Sequence, residues 1–408
     1  MDFHAQLKRD DLPRVDYSFV PEARRLRDRL LSGYLKLFNK RLAPMKPIAL
    51  VNGMPAYDLT QPPMGSQPGA RILRVGFDYV VRRKPARPIS LVLMVNGRCD
   101  MSCRHCSARD YMRDGRPAME YEEIIDLLDQ FLDLGGASVV LSGGEPTLHP
   151  RLLDIIDHVP KDQATVAMFT NGSRVVAMAD ELRGAGLFGT LVSLDSDDPA
   201  AHDEYRGREG AFRIATDAVE AMLANGSLVG ISTYVTRPAH HEGYVSRIID
   251  LGTQLGIHQV FMFDAVPTGA FLREREMVLT PEDRVHVREL VKAQNALPTG
   301  PAVMGQSWVN SSEGFGCFAG FYQLYVSVSG EASPCDFTPI TFGNVRDEAL
   351  GAVWRRMRAS EEWGSRHAEC RMQDECFRRN TVDLVPEGTP WPVSYERILE
   401  LRAERDSR

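Results

Sequence analysis

From Pro88 onward, short apolar runs rich in β-forming residues recur along the chain: Ile89–Val95, Ser138–Ser142, Thr165–Thr170, Thr190–Asp195, Val229–Val235 and Gln259–Asp264. Runs this short and this continuously apolar predict strands buried on both faces. Between them the apolar period changes to that of a helix. Tyr121–Leu134 is the clearest case, with Ile124, Ile125, Leu128, Phe131 and Leu132 on one side. Ala211–Asn225 and Gly243–Leu255 follow the same pattern, and Gly135, Gly226 and Gly256 stand where a left-handed helix cap is wanted. Strands alternating with helices predict βαβ units and a parallel sheet with right-handed crossovers. In such folds ligands gather at the C-terminal ends of the strands.

Residues 1–85 form a separate piece, an N-terminal helix-hairpin extension. Pro21–Pro44 is helical in pattern, with Leu26, Leu30, Leu31, Tyr34, Leu37 and Phe38 on one face and Arg24, Arg25, Arg27, Arg29, Lys36, Lys40 and Arg41 on the other. A basic amphipathic helix suits a membrane surface. An ordinary helix packed on a domain has the same pattern and is the preferred reading. Asn52-Gly53 between two apolar segments predicts a hairpin. Gln61-Pro-Pro-Met-Gly65 breaks any element, and the loop is expected to continue over Ser66–Gly69.

The first candidate chemistry follows the first strand. Cys99, Cys103 and Cys106 lie at C-x3-C-x2-C spacing. Three thiolates on one loop suit a [4Fe–4S] cluster with one iron left open, since clusters held only for electron transfer take four cysteines. Zinc competes for such donors but favours four ligands in a structural site. The spacing and its place after a first strand resemble the signature of the radical SAM superfamily. That resemblance implies an open (β/α)6 TIM-like partial barrel over residues 86–305, S-adenosylmethionine (SAM) chelated by the open iron, and reductive cleavage to a 5′-deoxyadenosyl radical. Gly143-Gly144-Glu145 at the second strand end matches the family's GGE motif, whose backbone binds the amino group of SAM. Thr170 and Asn171 end the third strand, and Ser193 and Asp195 end the fourth. Hydroxyls and a carboxylate at strand ends suit the ribose or carboxylate of SAM; the resemblance favours Ser193 and Asp195 for this, and places Arg206, in His202-Asp-Glu-Tyr-Arg206-Gly207, near the carboxylate. It departs from the family at Ser196, where glycine is usual, and at His105, where a larger aromatic is common. His105 is expected to stack on adenine or to hydrogen-bond near the cluster. Polar groups ending the sixth strand, at Asp264 and Pro267-Thr-Gly269, are expected to face a substrate cavity. His240, His241 and Glu242 are adjacent loop residues, and such neighbours rarely converge on one metal.

Four more cysteines follow: Cys317, Cys335, Cys370 and Cys376. Alternation in Gln323–Val328 with a Ser329-Gly330 turn predicts a hairpin that brings Cys317 towards Cys335. The spacing resembles a SPASM domain or its shorter form, twitch, an α+β cluster domain over residues 306–380. The resemblance implies one auxiliary [4Fe–4S] cluster on these four cysteines. His367 stands where the full pattern has a further cysteine and Asn380 where it has the last, so no second auxiliary cluster is expected. A zinc knot on the same cysteines is the alternative. Residues 381–408 are expected to be a tail over the barrel mouth.

Bulk properties narrow the partners. The net charge of −7 argues against nucleic acid. No run of eighteen apolar residues occurs, Met1–Gln6 lacks the basic start of a signal peptide, and clustered reduced thiols point to the cytoplasm. Residues 1–85 do not match the winged-helix-like domain of peptide-modifying relatives, so a small molecule is the expected substrate. A ribosomally made peptide, a lipid or polyprenyl substrate, and a non-enzymatic electron carrier are the alternatives. A flavodoxin or ferredoxin is the expected reducing partner.

Overall fold

The computed structural model describes residues 26–109, 111–113 and 115–407, with the side chains of 26–31 and 113 left aside. Arg24 and Arg25 of the basic face lie outside the described residues. All six apolar runs are strands: β3 (Ser90–Asn96), β4 (Ser138–Gly143), β5 (Thr165–Thr170), β6 (Gly189–Ser193), β7 (Val229–Val235) and β8 (Gln259–Asp264). Each pairs in parallel with the next. The intervening helices are α3 (Tyr121–Asp133), α4 (Leu152–His158), α5 (Val175–Gly184), α6 (Pro199–Arg206), α7 (Ala211–Ala224), α8 (Arg237–His241) and α9 (Tyr244–Leu255). Gly135, Gly226 and Gly256 all have positive φ, as helix ends require. These are the parallel βαβ units that the pattern predicts, in the partial barrel that the family resemblance implies.

The sheet is wider than six strands. After α10 (Pro281–Ala296), β9 (Ala302–Gly305) adds beside β8. On the other edge β10 (Gln323–Val326) runs parallel to β3, and β11 (Ala332–Ser333) completes the expected hairpin. The sheet therefore has nine strands in the order β11-β10-β3-β4-β5-β6-β7-β8-β9, and part of the C-terminal cysteine region is built into the barrel wall. Beyond it, β12 (Ile340–Thr341) pairs in parallel with β13 (Val393–Ser394).

The N-terminal piece closes the bottom of the barrel. Helix α1 (Leu26–Leu42) is followed by the hairpin of β1 (Ala49–Val51) and β2 (Met54–Ala56). Asn52 and Gly53 have φ of 52° and 77°, the two positive values that a type I′ turn needs. The next residues enter the barrel floor. Leu59 is fully buried among Ile48, Ala56, Leu191 and Leu228. Its N–H donates to Gln259 Oε1 at 3.0 Å, and Ser138 Oγ donates to the Thr60 carbonyl at 2.5 Å. A Cβ at Gly189 would lie 2.4 Å from the Leu59 carbonyl oxygen, and one at Gly230 would lie 2.8 Å from Leu59 Cδ1. Glycine at these strand starts makes the socket.

One expectation fails here. Ser66–Gly69 does not continue the loop: it opens α2 (Gln67–Val80). Ser66 Oγ accepts from Gly69 N at 3.1 Å. Pro68 in the first turn is a helix starter there, because the N–H it lacks has no helical partner at that position. Helix α1 packs on α2 and on the C-terminal region, with Tyr34 on Phe77 at 5.9 Å and Phe38 on Phe315 at 6.0 Å between ring centroids. The C-terminal helix Tyr395–Asp406 buries Ile398 and stacks Tyr395 on Phe342. The segment before it reaches the loop after β8, through ion pairs of Asp383 with Arg275 and of Glu387 with Arg273.

Candidate functional site

The loop after β3 carries Cys99, Cys103 and Cys106, and three neighbouring strand ends hold it. Ser102 N and Arg104 N donate to the carbonyls of Arg206 and Tyr205, at 3.1 and 2.9 Å. Ala270 N, after β8, donates to the Cys106 carbonyl at 3.1 Å. After β5, Asn171 Nδ2 donates to Asp100 Oδ1 at 2.8 Å and stands 3.8 Å from Cys99 Sγ. Asp100 also pairs with Arg208. Gly207 allows the approach of α6: a Cβ there would lie 2.4 Å from Ser102 Oγ.

The Gly143-Gly144-Glu145 turn packs against the strand leading into this loop. A Cβ on Gly143 would lie 2.5 Å from the Asn96 carbonyl oxygen, and one on Gly144 would lie 2.3 Å from that of Arg98. The glycines are therefore needed for the fit to the cysteine loop as well as for any ligand. Glu145 is fully buried, and both its carboxylate oxygens are engaged inside the protein. Oε1 accepts from Thr147 N at 3.0 Å, Thr147 Oγ1 at 2.6 Å and Thr170 Oγ1 at 2.7 Å, while Oε2 accepts from Asn171 N at 2.7 Å. Burial still pushes its pKa up. The Glu145 carboxylate and the Thr170 hydroxyl thus clamp the ends of β4 and β5 together, and an ammonium ligand is left the backbone of this turn. Asn96, which no sequence motif marks, completes the clamp by donating to the carbonyls of Arg98 and Glu145 at 3.2 and 3.0 Å.

Asp195 anchors a buried charge network. It pairs with Arg206, and His105 Nε2 lies 3.6 Å from its Oδ2. Burial opposes its charge, but Arg206 and the two neighbouring histidines outweigh that and hold its pKa below the usual range. Burial lowers His105 to about 4, so the ring is neutral near pH 7. His105 stacks on Tyr205, centroids 4.8 Å apart, and its buried Nδ1 has no partner. Arg206 Nη1 reaches Cys103 Sγ at 3.6 Å, which gives the thiolate a cationic neighbour. Ser193 Oγ lies 3.4 Å from Ser232 Oγ.

These groups line one cavity of about 500 Å³, within the range that holds a cofactor and part of a substrate. Cys99, Cys103, Cys106, Gly143, Gly144, Glu145, Thr170, Asn171, Ser193, Asp195, Arg206 and His105 all border it. Aromatic residues that belong to no motif, Tyr234, Phe261, Phe263 and Phe337, complete its wall, as does Asp336. Their only signal in the sequence was their place on or beside strands. The sixth strand end departs from expectation. Asp264 is fully buried and turned away, accepting from Ser307 Oγ at 2.7 Å and Gln373 Nε2 at 3.1 Å. It ties the barrel to the segment between Cys370 and Cys376.

A second cavity of about 220 Å³ adjoins the first and is bordered by Cys317, Cys335 and Cys370. Cys376 is not on that wall: it is exposed, with Asn380 Nδ2 3.6 Å from its sulfur. His367 meets Cys317 through the backbone, its carbonyl accepting from Cys317 N at 2.9 Å, and its Nδ1 lies 2.8 Å from the Glu369 carbonyl. Burial raises Cys99 to about 11 and Cys370 to about 12, and bound iron reverses such shifts. Among the described residues, no three His, Cys, Asp or Glu side chains are close enough to hold a single metal ion. His240, His241 and Glu242 accordingly do not converge: His240 faces His286 at 3.2 Å and His241 faces Asp283 at 2.8 Å. Sets of three and four cysteine thiolates are the donors that iron–sulfur clusters take.

Comparison with known proteins agrees. Residues 93–252 match the radical SAM superfamily, and residues 317–378 match SPASM, an iron–sulfur cluster-binding domain. The chain is 24% identical over 307 residues to an AdoMet-dependent heme synthase of Oleidesulfovibrio alaskensis, covering 68% of this chain and 79% of that one. It is 25% identical over 286 residues to a PqqA peptide cyclase of Xanthomonas oryzae pv. oryzae, covering 65% and 74%. Its fold resembles that of Streptococcus suis SuiB bound to the precursor peptide SuiA, with a TM-score of 0.57, 16% identity, and 81% and 80% of the two chains covered. The chain belongs to the radical SAM superfamily, with [4Fe–4S] clusters and SAM as its cofactors and a C-terminal SPASM-type cluster domain.

Proposed function

We propose that this chain oxidises a C–H-bearing residue of a ribosomally made peptide. The observation that carries this reading is that the two cavities adjoin and share a wall. They share Thr60, Gln61, Phe261, Phe263, Gln323, Asp336 and Phe337, so a substrate in the larger cavity lies one wall away from the C-terminal cysteines. When bound, SAM and its cluster would supply abstraction of one hydrogen atom, and the auxiliary cluster would supply an acceptor for the second electron, with the second proton leaving to solvent. The chain's own residues hold and orient. The Gly143–Glu145 backbone offers acceptors to the SAM amino group. Arg206, Asp195 and Ser193 offer charge and hydroxyl groups to its carboxylate and ribose. Cys99, Cys103 and Cys106 hold one cluster, and Cys317, Cys335 and Cys370, with Cys376, hold the other. The aromatic walls exclude water from the reacting carbon. A flavodoxin or ferredoxin serves as reductant.

The sequence by itself favoured a small molecule, because residues 1–85 do not match a peptide-recognition domain. The peptide cyclase relative supports a peptide instead. The heme synthase relative favours a second reading, a tetrapyrrole substrate, and either fits the same chemistry. Anaerobic assays on the reconstituted chain with SAM and dithionite separate them. The proposal expects 5′-deoxyadenosine release together with loss of two hydrogens from members of a peptide library, read by mass spectrometry. Turnover of a tetrapyrrole precursor alone establishes the second reading. No release of deoxyadenosine under any condition overturns both.

A further inference from the structure

We propose that the Tyr234 hydroxyl holds the bound substrate by donating to an uncharged carbonyl oxygen of its main chain. The inference rests on the peptide reading and adds the atom of this chain that meets a peptide group. A buried tyrosine normally finds a partner for its hydroxyl, and the other buried tyrosines of this chain do so. Tyr111 donates to the Thr338 carbonyl at 2.9 Å and Tyr325 to Met94 Sδ at 3.2 Å. Tyr244 pairs with Thr233, and Tyr395 donates to Glu362. Tyr234 is only 9% exposed, yet among the described residues nothing takes its hydroxyl. It borders the larger cavity, and the hydroxyl is not sealed from that space.

The ring is not free to turn towards another acceptor. It ends β7 among His105, Phe263, Phe271 and Phe337, whose centroids lie 5.3, 6.1, 6.2 and 6.1 Å away. The groups offered to SAM stand at the ends of β4 and β6 and on α6. Tyr234 instead packs on Phe337, two residues after Cys335, and so faces the C-terminal side of the cavity. Burial, with the nearby Asp336 next, pushes its pKa well above the usual value, so the hydroxyl keeps its proton and gives a hydrogen bond. A carboxylate or phosphate partner would meet the charge of Asp336 and would give up water for aromatic walls. The fitting acceptor is an uncharged oxygen. Peptide carbonyls are strong acceptors that recur at every residue, so this contact fixes where the main chain lies and leaves sequence preference to other groups.

Tyr234→Phe removes the hydroxyl and keeps the ring. Parent and variant, reconstituted and loaded with SAM, are titrated with N-acetylalanine N-methylamide by ligand-observed NMR. The variant is expected to bind this probe about three- to tenfold more weakly. N-acetylalanine, with a carboxylate in place of the second amide, is expected to bind the parent more weakly than the methylamide does. SAM affinity by equilibrium dialysis, and the EPR spectra of the reduced clusters, are expected to match those of the parent. Thermal unfolding is expected to show no loss of stability in Tyr234→Phe, whereas Tyr111→Phe gives up its bond to Thr338 and melts lower. Equal binding of the methylamide by both proteins, or none by the parent, overturns the proposal. So does tighter or equal binding of N-acetylalanine, or a stability loss in Tyr234→Phe as large as that in Tyr111→Phe. Weaker SAM binding would give the hydroxyl to SAM, and an altered EPR spectrum would give it to a cluster; either also overturns the proposal. Because the assay reads binding of an amide and not peptide oxidation, it can fail while the peptide reading stands.

Discussion

At the residue scale, the most constrained group is a carboxylate that the family pattern marks for a ligand but that the fold uses for itself. Glu145 accepts four hydrogen bonds. In Glu145→Gln one oxygen becomes an NH2, which must face a donor. The expected cost is about 1–3 kcal/mol, read by denaturant unfolding of the holoprotein, with weaker SAM binding because the turn loosens. Asp58 gives a pH test. Burial raises its pKa from 3.8 to about 6, so the folded state holds the proton more tightly than the unfolded one. The resulting stability is complete below the unfolded pKa and is lost as pH rises through about 6, on the order of 3 kcal/mol in all. Asp58→Asn keeps the Oδ1 acceptor for Thr60 and carries no charge. It is expected to flatten the stability profile between about pH 4 and 6 and to be more stable than the parent at pH 7, by thermal unfolding across that range. The cysteine triplet was legible because metal ligation imposes spacing along the chain. The duties of Glu145 and Asn96 were not, because their partners lie across strands in an order that only the folded sheet sets.

At the scale of elements, strands were readable where buried parallel pairing demands an apolar run, as in Val229–Val235, and the Asn52-Gly53 turn was readable because type I′ geometry selects those residues. Helix α2 was not, since Pro and Gly in a first turn look like a break until Ser66 is seen capping it. The placement of β10 beside β3 had no local signal at all: its register is fixed by a partner far away in sequence. The plug at Leu59 belongs to the same class. Leu59→Ala is expected to cost about 2–5 kcal/mol, and Gly230→Ala a similar amount, because its methyl would lie 2.4 Å from the Gln259 carbonyl oxygen and 2.8 Å from Leu59 Cδ1. A double-mutant cycle is expected to show coupling of about 0.5–3 kcal/mol between them. Full additivity would mean that the socket and the plug are independent.

At the scale of the whole molecule, two cysteine groups distant in sequence border two adjoining cavities that share a wall. Among the described residues no helix is long and apolar enough to cross a membrane, and α1 lays its aromatic residues on α2 and Phe315. The edge of β3 covered by β10 has a further consequence, for synthesis. A ribosome that has made the Cys99–Cys106 loop has yet to make the strand that shields its base, and non-local pairings of this kind form late. Until then the nascent chain shows a bare strand edge carrying Leu91, Leu93 and Met94, next to three unprotected thiols. Such an edge is a template for association with another chain. A chain stopped at residue 310 is therefore expected to aggregate and to oxidise at its thiols, whereas one that runs through the helix Tyr395–Asp406 stays monodisperse by light scattering. Iron loading of the first site is then expected to be lower in the shortened chain, which lacks the β10–β11 hairpin that covers this edge.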